Sequence, residues 1–203
     1  MRVAVLVSGS GTNLQALIDA QADAQGKDRY EIILVVADRN CYALERAQKA
    51  GIPFYLVSSE KGSPRNVARK EISDRILSLA LANNAQAIVL AGFLTIMSGQ
   101  ILEVFSGKIV NLHPALLPKF GGQGMWGHHV HEAVLASGDT ESGCTIHLVD
   151  AGCDTGTILL QKKVPVLSGD TVETLAKRIS GIEHKAIVEG TMLLAHRFKE
   201  LSQ

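Results

Sequence analysis

Apolar residues run unbroken from Val3 to Val7, the pattern of a strand buried on both faces, and a polar turn at residues 8–13 ends the run. Leu14, Leu17 and Ile18 then recur at helical spacing. A second buried strand is predicted over Glu31–Ala37, closing on Asp38-Arg39-Asn40. The pattern next predicts a helix over 44–50, a strand over 53–56, an amphipathic helix over 67–81, and strands over 87–91 and 108–112. Strand and helix alternating in this way imply an α/β fold with a mostly parallel central sheet and helices on both faces, Rossmann-like in outline. After His113 the character changes. Gly121, Gly122, Gly124 and Gly127 make a loop, a short helix follows over 130–136, and strands at 144–149 and 158–164 complete the sheet. The direction of these last two strands is left open by the pattern. Asp170 and Glu173 have capping-box spacing and open a long C-terminal helix that reaches about Lys199.

With 203 residues, 46% of them hydrophobic, residues 1–203 suit a single domain with a sizeable core. Lys plus Arg and Asp plus Glu each number 20, so the formal charge is zero. That balance argues against a nucleic-acid partner, which selects a basic face. No stretch reaches the roughly 18 consecutive apolar residues of a membrane span, so no membrane partner is expected. The opening Met1-Arg2 and its apolar run read as a strand rather than a signal peptide, because Ser8-Gly9-Ser10-Gly11 interrupts them. Cys41, Cys144 and Cys153 are odd in number and form no C-x-x-C pair; reduced thiols in a cytoplasmic protein are the simplest reading.

The candidate chemistry lies in the turns. Gly9-Ser10-Gly11-Thr12-Asn13 joins a buried strand to a helix, where free amides and the helix dipole favour a phosphate. The dinucleotide fingerprint would need glycine at Leu14, and no G-K-[ST] follows. A tight turn needing glycine for its dihedrals is the competing reading. Asn111 and His113 end a strand and share one side of it, pairing an amide donor with a titratable imidazole, which suits an oxyanion formed in acyl transfer. A loop carrying Asp150 and Asp154 could orient an imidazole or a water, though Asx-turn duty is the commoner fate of a loop aspartate. Metal binding is not expected. His131-Glu132 begins H-E-x-x-H but position 135 is Leu, and Cys144 and His147 stand three apart on a strand. On the final helix Leu175, Ile179, Ile182, Ala186 and Val188 outline an apolar face, and Glu183 lies along it or at its edge. A carboxylate there needs a partner, a lysine or a ligand hydroxyl.

Taken in order, residues 8–15 (Ser-Gly-Ser-Gly-Thr-Asn-Leu-Gln), Ala91-Gly92-Phe93, the segment from Asn111-Leu112-His113-Pro114 to Lys119, Asp154-Thr155-Gly156 and Glu183-His184 resemble the phosphoribosylglycinamide formyltransferases. The resemblance covers nearly the whole chain. It implies that Asn111, His113 and Asp154 are catalytic and that Gly11, Thr12 and Asn13 hold a nucleotide phosphate. It also implies that Glu183 holds the ribose hydroxyls, and that Leu94, Thr95, Ile96 and Met97 border the pterin of 10-formyltetrahydrofolate, the cosubstrate. The N-terminal half would then carry the phosphate site and the C-terminal half the folate and catalytic site. Three places depart from the pattern: Thr95 stands where arginine is frequent, Ser180 where a longer polar side chain is usual, and residues 121–128 are richer in glycine. The implied partners are small molecules, glycinamide ribonucleotide and folate, with either a monomer or a homodimer. A formyltetrahydrofolate deformylase would use the same three catalytic residues, but such enzymes carry an added N-terminal domain. Methionyl-tRNA formyltransferase would bring a C-terminal domain and a basic surplus. A non-catalytic nucleotide-binding protein would rest on Asp38 and leave the Asn–His–Asp set unexplained.

Overall fold

The computed structural model describes residues 1–23 and 29–200. Its strands are β1 (Arg2–Val7), β2 (Glu31–Ala37), β3 (Phe54–Leu56), β4 (Ala87–Leu90), β5 (Ile109–His113), β6 (Glu141–Leu148) and β7 (Ile158–Pro165). They form one sheet in the order β3-β2-β1-β4-β5-β6-β7. Pairings from β3 across to β5 are parallel, while β5–β6 and β6–β7 are antiparallel, which settles the direction the sequence left open.

Alternation along each central strand divides the core in two. Val3, Val5, Val7 and Val89 face one layer of helices, α1 (Thr12–Asp23), α2 (Tyr42–Lys49), α5 (His128–Ser137) and α6 (Val172–Glu200). Ala4, Leu6, Ile88 and Leu90 face the other, α3 (Arg65–Ala82) and α4 (Gln100–Val104). Each fully buried Leu or Ile contributes about 1.5–3 kcal/mol to this packing. The helix α6 rests so closely on β6 that a Cβ at Gly190 would fall 2.5 Å from Cγ2 of Ile146, so this crossing accepts only glycine without rearrangement.

Three expectations are corrected. The helix α4 was not anticipated, because its five residues are too few to show a helical period. The start of α6 is capped one residue later than the spacing suggested. Thr171 and Thr174 exchange backbone-to-hydroxyl bonds, and Asp170 instead accepts from the Leu167 amide and from Arg178. On the apolar face of α6, Ile187 is added as a buried member, eight residues beyond Ile179 on one stripe, while Ile182 and Val188 are only partly buried and pack against the same core.

Candidate active site

The chain builds β1, β2 and β3 in one direction across the sheet and then β4 and β5 in the other. The order therefore switches between β1 and β4, where open α/β sheets place their ligand crevice. The two strand exits touch there, the Ser8 amide donating to the Gly92 carbonyl at 3.1 Å. A cleft of about 760 Å³ opens at this point, a volume suited to a small-molecule ligand. Asn13, Asn111, His113, Asp154, Glu183 and residues 94–97 all line it.

At the end of β5, His113 is only 3% exposed. Its Nε2 lies 2.8 Å from the Phe120 carbonyl, which can only accept, so Nε2 carries a proton. Its Nδ1 lies 3.5 Å from Oδ2 of Asp154. Burial holds the His113 pKa below the ordinary imidazole range, outweighing the opposing pull of Asp154 and the Phe120 carbonyl. The resting imidazole is therefore neutral. Asp154 follows the opposite course. Its burial would raise the pKa, but His147, His113 and the Gly122 amide, at 3.0 Å, together hold it below the usual carboxylate range. Asp154 also adopts φ 59°, and Phe120 φ 61°; two of the three non-glycine residues at positive φ among the described residues thus flank His113.

Asn111 is oriented by a residue whose role the sequence did not disclose. Across the antiparallel pair it stands opposite His147, and its Nδ2 lies 3.1 Å from His147 Nε2. The Leu148 carbonyl, 2.9 Å from Nδ1, takes the ring's donor in the neutral tautomer, which leaves Nε2 to accept from Asn111. The second N–H of the amide remains for a ligand. His147 Nε2 also lies 3.5 Å from Oδ1 of Asp154, so the two histidines bracket one carboxylate. In the sequence His147 figured only as a weak metal candidate beside Cys144. Cys144 is buried in the core, whereas His147 lines the cleft.

The phosphate-type turn caps α1, the Gln15 amide bonding to the Gly11 carbonyl at 2.9 Å. Gly11 has φ 72°, and a Cβ there would lie 2.6 Å from that of Ala43. Its glycine is thus required by packing against α2, whatever the turn binds. Thr12 is exposed; Asn13 is 8% exposed, with Nδ2 3.4 Å from Oε2 of Glu183 and no protein partner for its Oδ1 among the described residues. Burial raises the Glu183 pKa, with Asn13 opposing. Among the described residues no lysine meets Glu183; the amide of Asn13 is its partner.

Residues 94–97 border the cleft by backbone and apolar side chains. The Leu94 amide donates to Ser8 Oγ at 2.8 Å, and Met97 is buried. The Thr95 hydroxyl donates to Asp38 at 2.7 Å, so it is already spoken for. Arg39 grips both oxygens of the same Asp38 at 3.0 Å. An aspartate bound in this way is poorly placed to read a ribose, which removes the main support for a dinucleotide-type site. The cleft wall also holds Arg65, Arg69, Met125 and Trp126, none of them singled out by the sequence, because neither the helical period of α3 nor the glycine spacing of the loop tells which side chains meet at a shared cleft.

Residues 1–191 match the family model described as formyl transferase. The chain is 44% identical over 195 residues to a trifunctional purine biosynthetic protein adenosine-3 of Drosophila pseudoobscura pseudoobscura, covering 96% of this chain but 14% of that protein. It is 38% identical over 190 residues to a chloroplastic phosphoribosylglycinamide formyltransferase of Arabidopsis thaliana, covering 93% of this chain and 63% of the relative. The chain thus spans only part of the length of these curated relatives. Among solved structures, glycinamide ribonucleotide transformylase 1 of Geobacillus kaustophilus superposes with a TM-score of 0.84 at 34% identity, over 96% of this chain and 98% of that one. The corresponding protein of Symbiobacterium toebii gives 0.86 at 36% identity, over 97% and 88%.

Proposed function

The chain belongs to the formyl transferase family, and from that premise we propose that it transfers the formyl group of 10-formyltetrahydrofolate to the amine of 5′-phosphoribosylglycinamide in de novo purine biosynthesis. The observation that carries this reading is the meeting in one cleft of Asn111, His113 and Asp154 with Asn13, which closes the glycine turn, and Glu183, while Gly11 and Thr12 lie outside the cleft lining. The first set suits a tetrahedral oxyanion, and the second suits a phosphorylated ribose.

The substrate amine attacks the formyl carbon, giving a tetrahedral centre with a negative oxygen and a positive nitrogen. The free N–H of Asn111 stabilises the oxygen, an interaction worth about 3–4 kcal/mol when a preorganised donor meets developing charge. His113 is neutral at rest. The growing oxyanion and the ionised Asp154 at 3.5 Å both favour a second proton, which His113 takes from solvent as charge develops and returns to solvent when the tetrahedral centre collapses. Asp154 holds an ordered water, which takes the proton from the attacking nitrogen and delivers it to folate N10 as the C–N10 bond breaks. The products are formylated nucleotide and tetrahydrofolate. Holding both substrates in one crevice removes a further part of the barrier through proximity.

Gly11, Thr12 and Asn13 hold the phosphate in this reading, chiefly by first-turn amides of α1, and Glu183 with Asn13 holds the ribose hydroxyls. Leu94, Thr95, Ile96 and Met97 border the pterin through backbone groups, Thr95 contributing none of its side chain. Residues 1–203 act as one formyltransferase domain with small-molecule partners. The cytoplasm suits the three thiols, all free in the structure. No helix among the described residues is long and apolar enough to cross a membrane.

Incubation with 10-formyltetrahydrofolate labelled in the formyl carbon tests the reading. The label should appear on the nucleotide when glycinamide ribonucleotide is supplied. Recovery as free formate at the same rate with or without nucleotide identifies a hydrolase instead.

A further inference from the structure

The single tryptophan of the chain, Trp126, is 54% exposed, an unusual state for the largest apolar side chain available. It sits in the glycine-rich loop whose other end serves the catalytic group. The Phe120 carbonyl meets His113, and the Gly122 amide bonds to Asp154. The indole packs edge-wise against His129, with ring centres 5.2 Å apart and planes at 89°. In that geometry one imidazole covers at most one face of the indole, so at least one face remains for a ligand.

Trp126 lines the main cleft and also a second lobe of about 390 Å³, and so stands at the passage between them. Leu94 and Ile96 border both spaces, as do Arg65 and Arg69, and among the described residues no carboxylate lines the outer lobe. A ligand suited to this passage has a flat aromatic segment with an anionic end beyond it. The proposed cosubstrate has that form. The nitrogen that carries its formyl group is bonded directly to a benzoyl ring, and the ring leads on to a carboxylated tail. A formyl carbon delivered to Asn111 therefore brings the ring with it toward the outlet.

We propose that Trp126 is a folate-positioning residue whose indole stacks on the aminobenzoyl ring where the ligand leaves the inner cleft. The inference rests on the folate reading above and assigns that site a specificity-determining contact. Because the indole touches the benzoyl segment and not the reacting atoms, it acts on folate affinity and on the angle at which the formyl group is presented. The nucleotide side of the cleft does not depend on it.

The lone tryptophan makes the test direct. Tetrahydrofolate should change its fluorescence saturably, whereas a tetrahydropterin lacking the benzoyl tail, and glycinamide ribonucleotide alone, should not. Trp126→Ala should raise the folate KM about 3- to 10-fold, the range expected for loss of one aromatic pair, with the nucleotide KM unchanged. Trp126→Phe should restore most of that loss. An unchanged folate KM in Trp126→Ala, or a fluorescence response to the bare pterin equal to that of the full folate, overturns the inference. If formyl transfer is absent while the tail-dependent fluorescence change persists, the proposed reaction fails and the contact stands.

Discussion

Asn111 on β5 and His147 on β6 are cross-strand partners, and the amide of the first donates to Nε2 of the second at 3.1 Å. The amide proposed to meet the oxyanion is thereby held by a residue that need not touch substrate. Two hydrogens are available on Nδ2; committing one to His147 fixes the direction of the other.

His147→Ala should therefore lower kcat by about 10- to 100-fold, the scale of a small misplacement of a reacting group, with both KM values nearly unchanged. His113→Ala should cost more, about 10²–10⁴ in kcat. It should also lower stability measurably, because the partly buried Phe120 carbonyl loses its donor. Steady-state kinetics beside thermal melts separate the two. Equal losses in both variants would place His147 in direct contact with the chemistry.

The phosphate turn can be probed without disturbing the fold, but not at Gly11. Any side chain there meets Ala43 and must adopt φ 72°, so Gly11→Ala should destabilise the protein and weaken every ligand together. Thr12 is exposed at the first turn of α1, where an added aspartate is tolerated by the helix dipole. Thr12→Asp should keep its melting temperature and its affinity for folate while the nucleotide KM rises at least about 10-fold, since like charges now meet. A nucleotide KM that does not move would leave the turn a structural feature only.

Glu183 carries an opposing pair of demands. Its folded-state pKa is raised above the ordinary 4.5 by burial, so the folded protein binds more protons than the unfolded chain between those two values. Stability contributed at low pH is then lost as pH climbs through this window, and the loss is complete above the raised value. Glu183→Gln should abolish that part of the slope and melt higher than the wild type at neutral pH, while nucleotide binding weakens. Melting curves over a pH series read the first effect. A variant less stable than wild type at neutral pH would contradict the burial argument.

Much of the fold could be read directly from the chain because its central strands are continuous apolar runs, as at Val3–Val7, and such runs have few alternative uses. Asn111 and His113 were legible for a related reason, since two polar residues at the exit of a buried strand must be turned toward solvent or a ligand. His147 was not. Its meaning depends on β6 running antiparallel to β5 in a register that sets it opposite Asn111, and register is a property of two strands together. Gly11 looked like a ligand residue, but its glycine is explained by a contact with α2, a helix distant in sequence. The neutral His113 was hidden in the same way. Residue type and spacing mark only a titratable imidazole, whereas the depth of burial that lowers its pKa is visible only in three dimensions.

The central claim is that the cleft positions an amine against the formyl carbon, so that folate release requires the nucleotide. Following tetrahydrofolate release spectroscopically, with and without glycinamide ribonucleotide, tests this most directly. Alone with 10-formyltetrahydrofolate the protein should give at most a slow leak. Added nucleotide should speed release by a factor of about 10³ or more, the scale expected when proximity and orientation are supplied by a second bound substrate. Rapid release of tetrahydrofolate and formate in the absence of nucleotide, unaffected by adding it, would contradict the account and make water the acceptor.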